Sequence, residues 1–178
     1  MEFQNLMEKR RSVRKYAEKN TLTKEDVLLM ISAAQEAPSW KNSQTGRYHC
    51  VFDKEVLNRL RTECMPEMNA GKCENAALII TTFVHDRAGF QRDGSADNEL
   101  GNGWGCYDLG LQNENLMLKA VELGYGTLVM GLRDADKIRE LLEIPETETI
   151  VSVIAVGVPE EEPERPKRRE LDSIVKFY

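Results

Sequence analysis

Three guanidinium groups and a hydroxyl fall within five residues near the start of the chain: Arg10, Arg11, Ser12 and Arg14. Arginine carries forked donors that match the oxygens of a phosphate, so this cluster can grip one phosphoryl group. It equally suits a solvated helix end, where cations gain from the macrodipole with no ligand at all. A second basic run, Lys167, Arg168 and Arg169, follows Pro166, and alone it reads as an exposed basic turn. Together the two clusters would share one anion if the fold joined the two ends of the chain.

Between them lie two further candidate segments. Pro38-Ser39-Trp40-Lys41-Asn42-Ser43-Gln44 is dense in amides and hydroxyls, which both donate and accept hydrogen bonds and so suit the mixed edge of a heterocycle. The same residues would serve as a plain helix-stop turn. In Leu123-Gly124-Tyr125-Gly126-Thr127-Leu128-Val129-Met130-Gly131, the first glycines suit a helix cap and the start of a strand. Gly131 would end that strand, where a missing Cβ lets a ring approach the backbone.

What the chain lacks narrows the chemistry. It has no GxGxxG, no GxSxG elbow, no GxxxxGK[ST] loop and no HExxH, which argues against a Rossmann domain, a triad hydrolase of that type, a P-loop NTPase and a zincin. Of its two histidines, His49 sits mid-strand as a packed or edge residue and His85 has no metal-ligand spacing. Cys50, Cys64, Cys73 and Cys106 form no CxxC and no zinc pattern, and read as reduced, scattered thiols.

The elements that must hold these groups follow from periodicity. Residues 2–10 suit a short helix with Phe3, Leu6 and Met7 on one face. A helix capped at Thr23, with the stripe Val27, Leu28, Met30, Ile31 and Ala34, ends at Pro38 and gives way to a polar loop over 38–46. Strands are predicted at 47–53, 76–84, 127–132 and 150–158, and helices at 54–65, 107–123 and 134–142. Apolar residues around most of the 107–123 segment predict the most buried helix there. Residues 86–105 are too long for a plain connector, and loops of that length tend to carry function.

At 178 residues, with 41 % hydrophobic and 30 % charged side chains, the sequence suits one folded domain spanning 1–178. Its net charge of -6 argues against a general nucleic-acid or membrane-surface binder. No apolar run approaches the ~20 residues that span a bilayer, and the opening MEFQNLMEKRRS offers no secretory leader, so a soluble, cytoplasmic protein is expected.

Taken in order, these motifs resemble the nitroreductase family of flavoproteins over nearly the whole chain. The residues that carry the resemblance are Arg10-Arg11-Ser12-Val13-Arg14-Lys15-Tyr16, Ala37 through Gln44, Asp108-Leu109-Gly110, Leu123 through Thr127, Val156-Gly157-Val158-Pro159 and Lys167-Arg168-Arg169. The resemblance implies an α+β fold, a mainly antiparallel central sheet flanked by helices, in an intertwined homodimer with two FMN molecules at its interface. By similarity, Arg10, Arg11, Ser12, Lys167 and Arg169 would hold the phosphate and ribityl chain, with Arg14 near the N1/C2-carbonyl edge. Pro38, Ser39, Trp40 and Asn42 would reach the same flavin from the second subunit, and Asn69 with Lys72 would lie near the pyrimidine edge. Met130 and Gly131 resemble the segment whose backbone meets N5 and O4.

The implied activity is an NAD(P)H-dependent oxidoreductase. FMN would take a hydride at N5 from NADH or NADPH and pass electrons, by ping-pong turnover, to a small-molecule nitroaromatic, quinone or related acceptor. No protein side chain would serve as catalytic acid or base, Arg14 acting as an electrostatic stabiliser. Flavin storage without turnover, dehalogenation, flavin destruction and enoate reduction are alternatives that the same scaffold permits. The sequence departs from the commoner family pattern at Thr45-Gly46 after the Asn-Ser-Gln run, and at Trp40, which would narrow the acceptor pocket if it projected toward the flavin. Phe90 and Trp104 suit either core packing or stacking on an acceptor.

Overall fold

A computed structural model describes residues 2–178 of the chain. Its centre is a four-stranded antiparallel sheet in the order β1-β2-β4-β3, with β1 Gly46–Val51, β2 Ala77–Val84, β3 Gly126–Met130 and β4 Glu148–Gly157. Six helices surround it: α1 Phe3–Lys9, α2 Lys24–Gln35, α3 Lys54–Glu63, α4 Glu67–Ala70, α5 Gly103–Glu122 and α6 Ala135–Leu142. The expected α+β class and antiparallel sheet are what the chain adopts.

Both faces of the sheet are covered, which is why its central strands read as unbroken apolar runs. Alternation along the strands deals residues to two cores. Leu78, Ile80, Val153 and Ala155 join Leu60 of α3 and Ile138 of α6 on one side. Ile79, Ile154 and Val156 meet Val27, Met30 and Ala34 of α2 and Leu116 of α5 on the other. Each fully buried Ile or Leu contributes about 1.5–3 kcal/mol relative to an exposed one, so the layers are held by the strand centres.

Local signals set most boundaries. Thr23 closes a complete capping box with Asp26, and Asp53 and Asp134 accept backbone N–H groups at the starts of α3 and α6. The stripe expected on α2 is corrected at Leu28, which is 64 % exposed while Val27, Met30 and Ala34 are buried. As expected, α5 is the helix with most buried positions, yet Asp108, Gln112 and Asn113 are among them. It starts at Gly103 rather than 107, which shortens the long loop and puts Trp104 in the helix. β4 starts at Glu148 rather than 150, and the short α4 was not anticipated.

Two glycines let α5 lie directly on the sheet. A Cβ on Gly46 would stand 2.0 Å from the Gln112 Oε1, and one on Gly105 would stand 2.3 Å from the Phe83 ring. The unusual Thr45-Gly46 pair is thereby explained: it clears space for the Gln112 carboxamide, which accepts a hydrogen bond from the Tyr48 hydroxyl at 3.3 Å.

Candidate functional site

The chain segment after α1 runs along the open edge of β3. Ser12 bridges Thr127 in parallel, and the Val13 N–H donates to the Thr127 carbonyl at 2.9 Å. Further on, Tyr16 pairs with Pro159 just beyond β4, and the Ala17 N–H donates to the Val158 carbonyl at 3.0 Å. These bonds tie the start of the chain to the point where the C-terminal tail leaves the sheet.

The tail then returns to the first basic cluster. Arg165 lies 3.7 Å from Glu8, and a hollow of about 370 Å³ opens between α1, the Gly124–Gly126 turn and the tail, with Arg11 and Arg165 in its wall. Burial lowers the Arg11 pKa, and the charges of Arg165, Arg10 and Arg168 lower it further, with only Glu8 opposing. The two ends of the chain do converge.

Among the tail residues, the charges of Arg165 and Arg168 lower the Arg11 pKa. Lys167, Arg168 and Arg169 are all exposed and line a separate hollow, where Lys167 pairs with Glu170 at 3.5 Å. Arg10 is held by Glu114 of α5 at 3.3 Å. Arg14 is exposed and donates to the Ser12 carbonyl at 3.0 Å. Arg165 carried no sequence signal of its own, sitting between an acidic run and Pro166.

At the far end of β3, the Met130 side chain is buried in the core, leaving only its backbone available at the edge. A Cβ built on Gly131 meets no atom within 4 Å, so open space lies where a ring would approach. Asn69 is buried and donates its Nδ2 to the Leu132 carbonyl at 2.9 Å, fixing the strand exit. Lys72, three residues on, is half-exposed. Arg133 donates to the Gly131 carbonyl at 3.2 Å, while its buried Nε finds no partner.

The 38–46 loop is strained and braced. Lys41, Asn42 and Gln44 all adopt positive φ, at 47°, 55° and 47°, a conformation that costs non-glycine residues of order 1 kcal/mol each. Ser39, Asn42 and Gln44 bond among themselves. The Trp40 backbone N–H donates to Asp108 at 2.8 Å, and its indole N–H donates to Asp97 at 3.2 Å. Lys41 reaches the same Asp97 at 2.8 Å. The Trp40 ring stacks on Trp104 with centroids 4.3 Å apart, both rings half-buried, and Phe90 lies half-buried beside Gly101. Burial raises the Asp108 pKa, against the Trp40 N–H.

Among the described residues, four of the five buried side-chain polar atoms without partners lie on the same segments, the fifth being Asn113 Oδ1 of α5. Ser43 Oγ and Thr45 Oγ1 lie in the braced loop, and Thr127 Oγ1 and Arg133 Nε lie along β3 and its exit. Such groups are rare in folded proteins unless something else meets them. With the guanidiniums of Arg11 and Arg165 in the wall of one hollow and the clearance at Gly131, these segments fit an anionic, heterocyclic cofactor such as FMN. Among the described residues, no cluster of His, Cys, Asp or Glu is set to hold a metal, and no helix is long and apolar enough to cross a membrane.

Fold and site together define an α+β protein that gathers cations from both chain ends beside the open edge of an antiparallel sheet. The chain belongs to the nitroreductase family, whose model matches residues 7–158, and it is an oxidoreductase. An NADPH-dependent oxidoreductase of Staphylococcus haemolyticus is 29 % identical over 176 residues, covering 93 % of this chain and 68 % of its own. A BluB-like flavoprotein from Clostridium difficile superposes with a TM-score of 0.82 at 26 % identity, over 100 % of this chain and 99 % of its own. An enone reductase of a gut-bacterial fatty acid saturation metabolism shares the fold, with a TM-score of 0.87 at 17 % identity over 99 % and 97 % of the two chains.

Proposed function

We propose that this chain is a single-domain, cytoplasmic, FMN-dependent NAD(P)H oxidoreductase that works as a homodimer on small-molecule acceptors such as quinones and nitroaromatics. The observation that carries the reading is the meeting of Arg11 from the start of the chain and Arg165 from its tail in the wall of one hollow, with Arg165 held 3.7 Å from Glu8. NAD(P)H dependence rests on family membership and on the name of the staphylococcal relative. The family and the flavoprotein neighbour support FMN.

Each residue has a defined task in this reading. Arg11 and Arg165 hold the phosphate, with Arg10 and the Ser12 hydroxyl beside them and the exposed Lys167, Arg168 and Arg169 further along the tail. Arg14, exposed next to Ser12, supplies positive charge for the electron-rich edge of the ring. Gly131 leaves the strand end open, Asn69 fixes it through Leu132, and Arg133 steadies the Gly131 carbonyl. Pro38, Ser39 and Asn42 present the braced loop to the flavin of the partner subunit, and Trp40 holds that loop in shape. Bound FMN supplies hydride acceptance at N5 and delivery to an acceptor, in ping-pong order.

The homodimer is supported by apolar side chains left exposed on a single chain. Tyr107 and Leu111 on α5 and Phe3 and Met7 on α1 are at least 36 % exposed, as are Leu171, Ile174 and Phe177 in the tail. Large apolar side chains exposed in such numbers are covered at interaction sites. The four free cysteines fit a reducing compartment.

The test is spectroscopic. The purified protein is expected to be yellow, to run at twice the chain mass, and to bleach under anaerobic NADH or NADPH. A colourless protein that takes up no added FMN overturns the reading.

A further inference from the structure

A second hollow lies away from β3 and shares no residue with the one beside Arg11. It measures about 550 Å³, within the range of small-molecule pockets. One wall is a single face of α3, on which Lys54, Leu57, Asn58 and Arg61 follow helical spacing. The opposite wall is the 18–22 segment, and Ala76 and Ala77 at the start of β2 form part of its lining.

Its chemistry is two-sided. Leu22, Phe52 and Leu57 are half-buried, each resting on one of the two cores, and together they offer an apolar surface. Three cations border it, Lys19, Lys54 and Arg61, against one carboxylate, Glu18, in a chain whose net charge is -6. Arg61 is 3.9 Å from the exposed Glu74, while among the described residues Lys19 and Lys54 have no carboxylate within 4.0 Å.

The walls are already fixed. The Asn20 Nδ2 donates to the Asn75 carbonyl at 3.1 Å, and its Oδ1 accepts from the Leu22 N–H at 3.1 Å. Asn75 holds a left-handed turn, φ 63°, and its Nδ2 donates to the Tyr16 carbonyl at 3.4 Å. The Asn20–Asn75 side of the rim is therefore held in place, which limits the entropy lost there on binding.

We propose that this groove binds a small organic anion, with a flat apolar body against Leu22, Phe52 and Leu57 and its charged head between Lys54 and Arg61. An apolar surface alone would take any hydrophobe; the surplus of two positive charges selects an anionic one. The site does not depend on the flavin reading, because its residues and those of the hollow beside Arg11 are disjoint.

The test uses the full chain saturated with FMN, titrated by calorimetry with 1-naphthoate, 1-naphthyl phosphate, neutral 1-naphthol and inorganic phosphate. Saturable binding of naphthoate or naphthyl phosphate is expected, the tighter of the two naming the head group, with naphthol and inorganic phosphate each at least ~10-fold weaker. Lys54→Glu and Arg61→Gln are each expected to weaken the aryl anion by about 10-fold, a loss typical of one charge-assisted hydrogen bond. Lys54→Glu puts an acid in the first turn of α3, which the helix dipole favours, so that variant folds. Amide signals of Asn20, Asn58 and Asn75 should shift on titration while the flavin absorbance stays unchanged. No saturable binding, equal affinity for naphthol, or an affinity unmoved by both substitutions overturns the proposal.

Discussion

Glu8, near the start of the chain, and Arg165, near its end, meet at 3.7 Å. This contact turns two unremarkable charge clusters into one site, because it brings the tail's guanidiniums to Arg11 in a molecule that is acidic overall. Arg11→Ala and Arg165→Ala should each weaken FMN about 10- to 100-fold, the loss of one charge-assisted hydrogen bond. Lys167→Ala should change it less than about threefold, since that side chain is exposed and pairs with Glu170. Flavin fluorescence titration measures all three.

The chain's two tryptophans, Trp40 and Trp104, are stacked at 4.3 Å and tilted by 43°. Coupled indoles at that distance should give a paired near-ultraviolet dichroism signal, and Trp40→Phe should abolish it. The same change removes the bond to Asp97 and should cost about 1 kcal/mol, a fall in Tm of about 2–4 °C. An unaltered dichroism spectrum would show that the two rings are not in contact in solution.

Asp108 is 3 % exposed, and burial raises its pKa. A carboxyl that holds its proton more tightly when folded favours the fold while protonated. That advantage fades as pH rises through the unfolded value, near ~3.9, to the folded one. Asp108→Asn keeps an oxygen for the Trp40 N–H and removes the buried charge. It should therefore be about 1 kcal/mol more stable than the parent at pH 7 and equal to it in acid. Urea unfolding at pH 3 and pH 7 measures the difference.

Glu148 has the opposite sign. Burial pushes its pKa up, but hydrogen bonds from the Thr82 hydroxyl and His49, with the charges of His49 and Arg47, bring it below the usual range. Its contribution is present above the unfolded value, near ~4.3, and is lost as pH falls through the folded one. Glu148→Gln should cost about 1–2 kcal/mol at pH 7, and the gap should narrow steadily in acid. A gap that stays constant down to pH 3 would count against the ionised carboxylate.

Gly105 tests how closely α5 lies on the sheet. A Cβ there meets the Phe83 ring at 2.3 Å, and Phe83 is 1 % exposed with little room to move. Gly105→Ala should destabilise by about 1–3 kcal/mol despite the better helix propensity of alanine. A variant that melts above the parent would mean that the helix stands further off.

Much of this was legible in one dimension, because the signals are local. Thr23 and Asp26 announce a helix start, Pro38 its end, and the apolar run at 76–84 a strand, observed at Ala77–Val84. The ordered motifs from Arg10 to Pro159 carried the family, which the match over 7–158 bears out. The sequence also suggested that basic residues from both ends would gather.

What it left undecided were pairings between distant segments. Arg165 comes to line one hollow with Arg11 because the path of the tail after Pro159 carries it back to Glu8 of α1. Trp40, which by type alone suited a pocket wall, is taken up by Trp104 and Asp97. Glu148 and His49 lie opposite β2 residues four apart, Val84 and Ile80, and meet only because their side chains reach diagonally across β2 by Thr82. Residue types and short spacings determined which elements form and which chemistry is available; tertiary packing alone decided which charges stand together, since their separation in space is unrelated to their separation along the chain.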